Sequence, residues 1–421
     1  MIEEKKLLLD VDEKPQFWQG VLLSFQHIFA MFGATILVPI LTGLPISVAL
    51  LMSGVGTLIY HTITKSKVPV YLGSSFAFIG AMQIAMDELG GDVSASQTGI
   101  MIAGLTYVII ALISTKFGTD WIDHLLPPIV IGPMIMVIGL GLSSSAVENA
   151  GLVSDAEWRT IVVALSTFLI TAFVNTKATG FLRIIPFLVG IIGGYIIALL
   201  LGVVDVTPII EADWFSLPEL YLPFKTNLFN EYHLYFGPEA WAFLPLVLVT
   251  AAEHIGDHTV LSKITERNFL KDPGLAATLT GDGVATFVSA FFGGPANTTY
   301  GENTGVIGLT RIASTSVIRN AAIIAIMLSF FGKFTALLTT IPNAVIGGMS
   351  IILYGVIASN GLKVMIDEQI DFTKVRNLII TSAMLVIGLG GAVLDLGPLV
   401  LSGTALSAIV GVILNLVLPQ E

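Results

Sequence analysis

Two glutamates stand in stretches of sequence that are otherwise apolar or uncharged, where a carboxylate is costly and therefore points to a function. Glu253 follows the apolar run 243–252, and Glu302 lies in a segment rich in glycine, serine, threonine and asparagine. A carboxylate in such surroundings can accept hydrogen bonds from a ligand or carry a proton. Asp257 lies four residues after Glu253 and so on the same helical face. We expect Glu253 and Glu302 to be the only acidic residues well inside the apolar segments, and to form a binding site.

Each glutamate also has a structural interpretation. Glu253 could form a fixed polar cluster with His27 or His254, and Glu302 could cap a helix whose N–H groups it precedes. Asp257 could raise the proton affinity of Glu253 by like-charge repulsion, or be a solvated acid at the end of a helix. The positions of these residues in a repeated pattern favour the functional interpretation.

The composition identifies the solvent that this chain requires. Of its 421 residues, 54% are hydrophobic and only 12% are charged, whereas a soluble protein carries about 25% charged residues. The mean hydropathy of +0.88 excludes a soluble enzyme and a disordered chain. A net charge of −11 argues against nucleic acid as a partner, and the lack of cysteine excludes disulfides and thiolate sites.

Apolar runs long enough to cross a bilayer divide the chain into fourteen predicted spans. The fold class is therefore an all-α polytopic membrane protein. The predicted spans are 17–40, 45–63, 69–86, 97–115, 126–144, 158–175, 182–203, 239–261, 273–291, 298–312, 315–336, 340–359, 376–394 and 398–418.

The basic residues predict an orientation, because lysine and arginine accumulate in cytoplasmic loops. With the amino terminus inside, sixteen of the nineteen fall on the cytoplasmic side. We therefore expect a multi-pass protein of the cell (plasma or inner) membrane with both termini in the cytoplasm. Residues 204–238 are acidic and aromatic, and they form a predicted extracellular loop.

The chain contains a weak internal repeat. Its first half, 1–203, holds spans 1–7, and its second half, 239–421, holds spans 8–14. Seven is odd, so the second half enters the membrane in the opposite sense and the repeat is inverted, as in many transporters. Three collinear matches carry it: Gln26-His27-Ile28 with Glu253-His254-Ile255, Tyr71–Ser75 with Tyr300–Thr304, and the segments that follow Pro127 and Pro342.

The third span of each half is short and polar, which a lipid-facing helix does not tolerate. We predict short extended strands in spans 3 and 10, each followed by a half-helix that begins near the middle of the membrane. The amides of Phe76 and Gly301 would then point at carbonyl oxygens of a ligand. Close helix packing is the alternative explanation for the glycines.

Four motifs resemble those of the nucleobase–ascorbate transporters, also called nucleobase:cation symporter family 2. Residues 302–311 match E/Q-N-x-G-x-x-x-x-T-R/K, Gln26-His27 matches the first-span pair, and residues 73–78 and 252–256 are similar to the motifs of spans 3 and 8. Glutamate at position 302 is similar to the uracil branch of the family, whereas the purine branches commonly show glutamine.

The resemblance implies roles for individual residues. Glu302 would accept ring N–H groups, Glu253 would bind the base directly or through water, and the Phe76 and Gly301 amides would bind its carbonyl groups. The rings of Phe76 and Tyr300 would pack against the base, with Tyr354 as a weaker candidate from the opposing domain. The remaining motif residues are Gln26, Ser75, Asn303 and Thr310.

The resemblance also implies a mechanism. A core domain of spans 1–4 and 8–11 (about 17–115 and 239–336) would move against a gate domain of spans 5–7 and 12–14 (about 126–203 and 340–418), in a homodimer. Uracil would enter by proton symport, with no further cofactor and with sodium as the less favoured ion. Glu253 would take the proton, shared with His27 or Asp257. Some uracil transporters have histidine where this chain has Asp257, so the carrier of the proton is open.

Other functions fit less well. A purine or other nucleobase symporter of the same family remains the nearest alternative. An anion transporter shares the seven-plus-seven plan, but two acids at the site disfavour an anionic substrate. A membrane enzyme would need a metal cluster or a nucleophile beside a base, and His254 and His258 lack a third ligand at metal spacing. We expect a transporter and not an enzyme or a plain channel.

Overall fold

The computed structural model describes residues 7–118, 120–183, 185–395 and 400–419. The first half of the chain is built almost entirely from helices, because its long apolar runs satisfy their backbone polar groups internally in that form. Its elements are α1 (Phe17–Thr42), α2 (Ile46–Ile63), β1 (Leu72–Ser74), a 3₁₀ turn (Phe76–Phe78), α3 (Ile79–Glu88), α4 (Ser94–Phe117), α5 (Asp120–Leu125), α6 (Pro128–Gly141), α7 (Ser143–Asn149), α8 (Trp158–Lys177), a second 3₁₀ turn (Gly180–Arg183) and α9 (Pro186–Leu200).

The second half repeats this order after a connecting segment with little regular structure. The connecting segment holds α10 (Thr207–Glu211), β2 (Tyr221–Leu222) and β3 (Asn230–Glu231). The elements that follow are α11 (Pro238–Trp241), α12 (Leu246–Thr265), a wide turn (Leu270–Gly274), α13 (Leu275–Phe291), β4 (Asn297–Thr299), α14 (Gly301–Thr310), α15 (Thr315–Ser329), α16 (Gly332–Thr339), α17 (Asn343–Asp367), α18 (Val375–Leu389), β5 (Val393–Asp395), β6 (Val400–Ser402) and α19 (Gly403–Val417).

Each of the fourteen predicted spans contains at least one of these helices. Within the described residues, six helices are long and apolar enough to cross a membrane unaided, and α15 with α16 makes a seventh if that bent pair is one span. Helices α9, α18 and α19 are apolar but shorter. The all-α membrane fold is confirmed.

The predicted strands in spans 3 and 10 are confirmed, and they pair with each other. β1 and β4 run antiparallel, with Leu72 opposite Thr299 and Ser74 opposite Asn297. Thr57 on α2 fixes the first strand, since its hydroxyl accepts a hydrogen bond from the Leu72 amide at 2.9 Å. The non-helical backbone is thus buried in protein, as it must be at this depth.

Helix packing follows the symmetry that an inverted repeat requires. Helix α2 packs on α15, and the equivalent helices of the other half, α13 and α4, also pack on each other. Helix α6 packs on its own equivalent, α17. The pair α8 and α9 is matched by the pair α18 and α19. Small residues permit the close approach. A Cβ atom on Gly104 would lie 2.7 Å from the Gly283 carbonyl oxygen, and one on Gly54 would lie 2.4 Å from that of Ala322.

One boundary differs from the prediction, at span 11. In the predicted span 315–336, α15 ends at Ser329 and the chain then bends by 83° into α16. The bend is held from the connecting segment, because Gly332 donates its amide to the Trp214 carbonyl and the Lys333 ammonium group donates to the carbonyls of Ile209 and Ile210. The connecting segment is otherwise mostly exposed.

Gly73 in β1 provides a test of the strand pair. A Cβ atom there would lie 2.3 Å from the Tyr300 ring. We expect Gly73→Ala to destabilise the protein by about 1–3 kcal/mol through overpacking, seen as a lower melting temperature in detergent. Gly80→Ala is the matched control, because nothing lies within 4 Å of its new atom. Equal melting temperatures for the two variants would contradict the packing described.

Candidate functional site

Two half-helices begin at the strand pair and run away from it in opposite directions. The Ser75 amide donates to the Ala296 carbonyl at 2.9 Å, and the Tyr300 amide donates to the Tyr71 carbonyl at 3.1 Å. The next residues, Phe76 and Gly301, are the first of the 3₁₀ turn leading to α3 and of α14. The first amides of a helix have no acceptor within it. The structure therefore places each of the two amides predicted to face a ligand at the start of a half-helix, one at either end of the strand pair.

The two predicted glutamates lie on helices beside this junction. Glu253 is on α12 and Glu302 is the second residue of α14, and both side chains are exposed although the residues that follow them, His254 and Asn303, are buried. The two carboxylates are close enough to interact electrostatically. An exposed acid within a membrane-spanning helix must face a cavity and not lipid.

Asp257 completes a group of three carboxylates. Its Oδ2 atom accepts a hydrogen bond from the Thr299 hydroxyl at 3.3 Å, and its Oδ1 atom lies 3.3 Å from the position of a Cβ on Gly301. It interacts electrostatically with Glu253 and Glu302. Asp257 therefore lies at the amino end of α14, where the helix dipole favours a negative charge. It is not a solvated acid at the end of a helix.

Two cavities are lined by residues of the two half-helices. One, of about 390 Å³, is lined by Phe76 and reaches Glu88 and Glu239. The other, of about 450 Å³, is lined by Glu302 and reaches Asn175 on α8. Each half-helix thus presents its first turn to one cavity, an arrangement suited to a small ligand that enters at one face and leaves at the other.

Asn303 and His27 form a buried link between α14 and α1. The Asn303 amide nitrogen donates to the His27 carbonyl at 3.1 Å and lies 3.1 Å from His27 Nδ1. His254 is bonded elsewhere, to Asp282. The proposed polar cluster of Glu253 with either histidine is therefore not what the structure shows.

The other motif residues lie on α1, at the start of one half-helix and at the end of the other. Gln26 is half-buried beside His27, and Ser75 is buried with a hydroxyl that has no hydrogen-bond partner among the described residues. The Thr310 hydroxyl donates to the Val306 carbonyl at 2.8 Å at the far end of α14. Thr310 therefore closes the helix and does not reach the ligand site.

Tyr300 is a support of the site and does not face its open side. Its side chain is 4% exposed, and its hydroxyl donates to the Ser74 carbonyl at 2.9 Å and lies 3.2 Å from the Thr35 hydroxyl. Its predicted contact with a ligand stays a prediction, and in this structure the hydroxyl is engaged within the protein. Phe76 is half-buried and lines a cavity, so its predicted contact also stays a prediction, whereas Tyr354 is buried on α17.

A fully buried acid inside a predicted span was missed. Asp282 on α13 is 0% exposed and its carboxylate lies 2.7 Å from His254 Nδ1, so the expectation that Glu253 and Glu302 are the only acids inside the spans is wrong. His254 stacks on His258, which bonds Tyr60. The signal was present in the sequence, because Asp282 lies in the middle of the predicted span 273–291. No group of three or more potential metal ligands with suitable geometry occurs among the residues that the structure describes.

An inverted repeat, a buried strand pair, two opposed half-helices and accessible carboxylates between two cavities define a membrane carrier. The chain belongs to the Permease family, because the family model Xan_ur_permease matches residues 18–397. It is 47% identical to the uracil permease of Bacillus subtilis (strain 168) over 433 residues, covering 100% of this chain and 97% of that protein. The uracil permease of Escherichia coli (strain K12) is 42% identical over 413 residues, which cover 97% and 93% of the two chains.

Solved structures with low sequence identity share the fold. The transmembrane domain of the cyanobacterium bicarbonate transporter BicA gives a TM-score of 0.64 at 18% identity, covering 97% of this chain and 99% of that one. The structure of SLC26A9 gives a TM-score of 0.66 at 11% identity, covering 94% of this chain and 64% of that one. These likenesses support the seven-plus-seven architecture.

Proposed function

We propose that this protein imports uracil by proton symport. The proposal is supported by a set of two accessible carboxylates, Glu253 and Glu302, and the first amides of two half-helices that leave one strand pair, in a chain whose relatives include uracil permeases. Uracil offers two N–H donors and two carbonyl acceptors, which this set can satisfy. Glu302 accepts ring N–H groups, Glu253 binds directly or through water, and the amides of Phe76 and Gly301 donate to the carbonyls.

The proton is held by the carboxylates beside the base. Glu253 takes it, and Asp257 and His27 share the task as neighbours of the site. His27 Nδ1 lies against the Asn303 amide nitrogen, so Nε2 carries the proton of the neutral ring and a second proton can add at Nδ1 only when that hydrogen bond breaks. Neutralising one carboxylate lowers the cost of moving the loaded site through the membrane. Sodium is the less favoured coupling ion, and no cofactor is required.

The movement is alternating access. The core domain, spans 1–4 and 8–11, carries the site past the gate domain, spans 5–7 and 12–14, within the lipid bilayer. The cavity at Glu88 then opens outward and the cavity at Asn175 opens to the cytoplasm, where both termini lie. This orientation rests on the sixteen basic residues of the predicted cytoplasmic side. Two copies associate through their gate domains as a homodimer, and no catalytic step is involved.

A related nucleobase is the second candidate for the substrate. The same junction would accommodate xanthine or another base with adjacent N–H and carbonyl groups. An anionic substrate is disfavoured although anion transporters share the fold, because three carboxylates face the junction and would repel it.

Uptake into proteoliposomes tests the proposal. Purified protein is reconstituted and supplied with radiolabelled uracil under an imposed pH gradient, with xanthine, adenine and ascorbate as competitors. We expect uracil accumulation that requires an acidic exterior and is competed weakly by the other compounds. Accumulation that follows a sodium gradient, or preferential competition by xanthine, would contradict the coupling ion or the substrate respectively.

The carboxylate at position 257 gives a prediction of its own. We expect Asp257→Asn to lower proton-driven uptake on the order of tenfold and to leave uracil affinity nearly unchanged, because Asp257 contacts Thr299 and the Gly301 backbone. Asp257→His should retain more uptake, since it keeps a group that can be protonated. Initial rates at several external pH values and a binding assay separate the two effects. An affinity loss as large as the rate loss would argue for a purely structural role.

A further inference from the structure

A segment near the amino terminus lies against the loop that follows the half-helix α14. We call residues 7–15 the amino-terminal strap. Its backbone forms a short parallel pairing with the chain after α14: Leu8 donates to the Arg311 carbonyl at 2.7 Å, and the amides of Ala313 and Thr315 donate to the carbonyls of Leu9 and Val11 at 2.8 and 3.0 Å. Arg311 follows α14 directly, so the strap binds the end of the helix opposite Glu302.

The strap is anchored by a buried side chain. Val11 is 0% exposed and belongs to an apolar cluster that includes Tyr60, Leu261 and Ile307. Leu261 is on α12 and Ile307 is on α14. Val11 thus lies in the apolar cluster shared by the two helices that carry the site glutamates.

A charged contact ties the strap to the end of α12. Arg267 follows α12 closely, and its guanidinium donates to the carboxylates of Asp10 at 2.9 Å and Asp12 at 3.0 Å. Burial of Asp10 opposes ionisation, but the Val11 amide and the Arg267 guanidinium outweigh it, so the pKa of Asp10 lies below its ordinary value. A carboxyl group whose pKa is lowered on folding stabilises the folded state above its unfolded pKa and loses this effect only as the pH falls through the lowered value. The ion pair is therefore intact at neutral pH.

These contacts matter because α14 is short. It has ten residues and follows a strand, and a helix of this length has little stability of its own. Its position relative to α12 therefore depends on contacts with neighbouring elements, among them the Asn303–His27 link to α1 and the contacts at its two ends. One end is the strand pair, and the strap supplies the other. We infer that the amino-terminal strap, with Arg267 as its positioning residue, fixes α12 and α14 relative to each other and so sets the separation of Glu253 and Glu302.

Only the uptake measurement in the following test rests on the proposed function. The variant Arg267→Gln tests the inference. We expect the KM for uracil to rise about three- to fivefold, with the maximal rate per inserted molecule changed less than about twofold. Amide hydrogen exchange in the peptide that contains Ala313 and Thr315 should become faster, because both amides donate to the strap. Arg159→Gln is the control, since Arg159 is an exposed arginine whose contacts are with Glu157 and the Trp158 ring, both close to it in sequence.

A charge exchange separates positioning from general destabilisation. Arg267→Glu combined with Asp10→Arg and Asp12→Asn keeps one ion pair at the same place and leaves no acid beside position 267, and we expect it to recover both the slow exchange and most of the KM. An unchanged KM with unchanged exchange in Arg267→Gln would overturn the inference, and so would faster exchange with an unchanged KM. If the unaltered protein does not take up uracil, the proposed function fails, whereas the exchange measurement still reports whether Arg267 holds the strap.

Discussion

Glu302→Gln is expected to weaken uracil binding by about 10- to 100-fold, the loss typical of a charge-assisted hydrogen bond. The carboxylate at the first turn of α14 is exposed to a cavity, and both of its oxygens accept hydrogen bonds. Glutamine replaces one acceptor oxygen with an NH₂ group. That group and a ring N–H of uracil are both donors, so the hydrogen bond between them is lost. The dissociation constant, measured by calorimetry on purified protein, checks this.

Glu211→Gln is the matched control for that measurement. Glu211 is an exposed glutamate at the end of the short helix α10 in the connecting segment. Its replacement removes the same charge from the protein without touching the junction, so binding should be unchanged. If Glu302→Gln binds uracil as tightly as this control does, Glu302 is not the group that recognises the base.

Glu253→Gln should have its main effect on coupling. A glutamine cannot take up a proton, so we expect the initial rate of proton-driven uptake to fall on the order of 100-fold or more. Exchange of internal for external uracil without a gradient should be retained better than net uptake, because exchange needs no release of the proton. Parallel measurements of net uptake and exchange in the same proteoliposomes distinguish the two.

The control for Glu253 is Glu148→Gln, an exposed glutamate on α7. Both variants are compared at equal amounts of inserted protein. Full proton-driven uptake by Glu253→Gln would remove this residue from the coupling mechanism. Full uptake by both Glu253→Gln and Glu302→Gln would refute the site assignment as a whole.

Features that depend on local sequence were predicted well. The apolar runs gave the helices, and the polar third and tenth spans gave the strands that became β1 and β4. The structure also begins the two half-helices at Phe76 and Gly301, because the repeat placed their segments in equivalent positions. Periodicity and composition are properties of neighbouring residues, so they are readable without the fold.

Features that depend on distant pairing were not predicted. Asp282 and His254 are 28 residues apart, and Arg267 and Asp10 are 257 apart, so no spacing rule connects them. Tyr300 illustrates the same limit. An aromatic residue beside a predicted site suggests a ligand contact, but only the fold reveals that its hydroxyl bonds Ser74 and that its ring lies against Gly73.

The direct pairing of β1 with β4 has a thermodynamic consequence for a carrier. The two half-helices whose amides we propose as donors to the base are joined through this pair. In the proposed mechanism both amide contacts therefore lie within one unit and are kept when that unit moves. We then expect the intrinsic affinity for the base to be similar on the two faces of the membrane, and any asymmetry in apparent affinity to follow the proton concentration on each side.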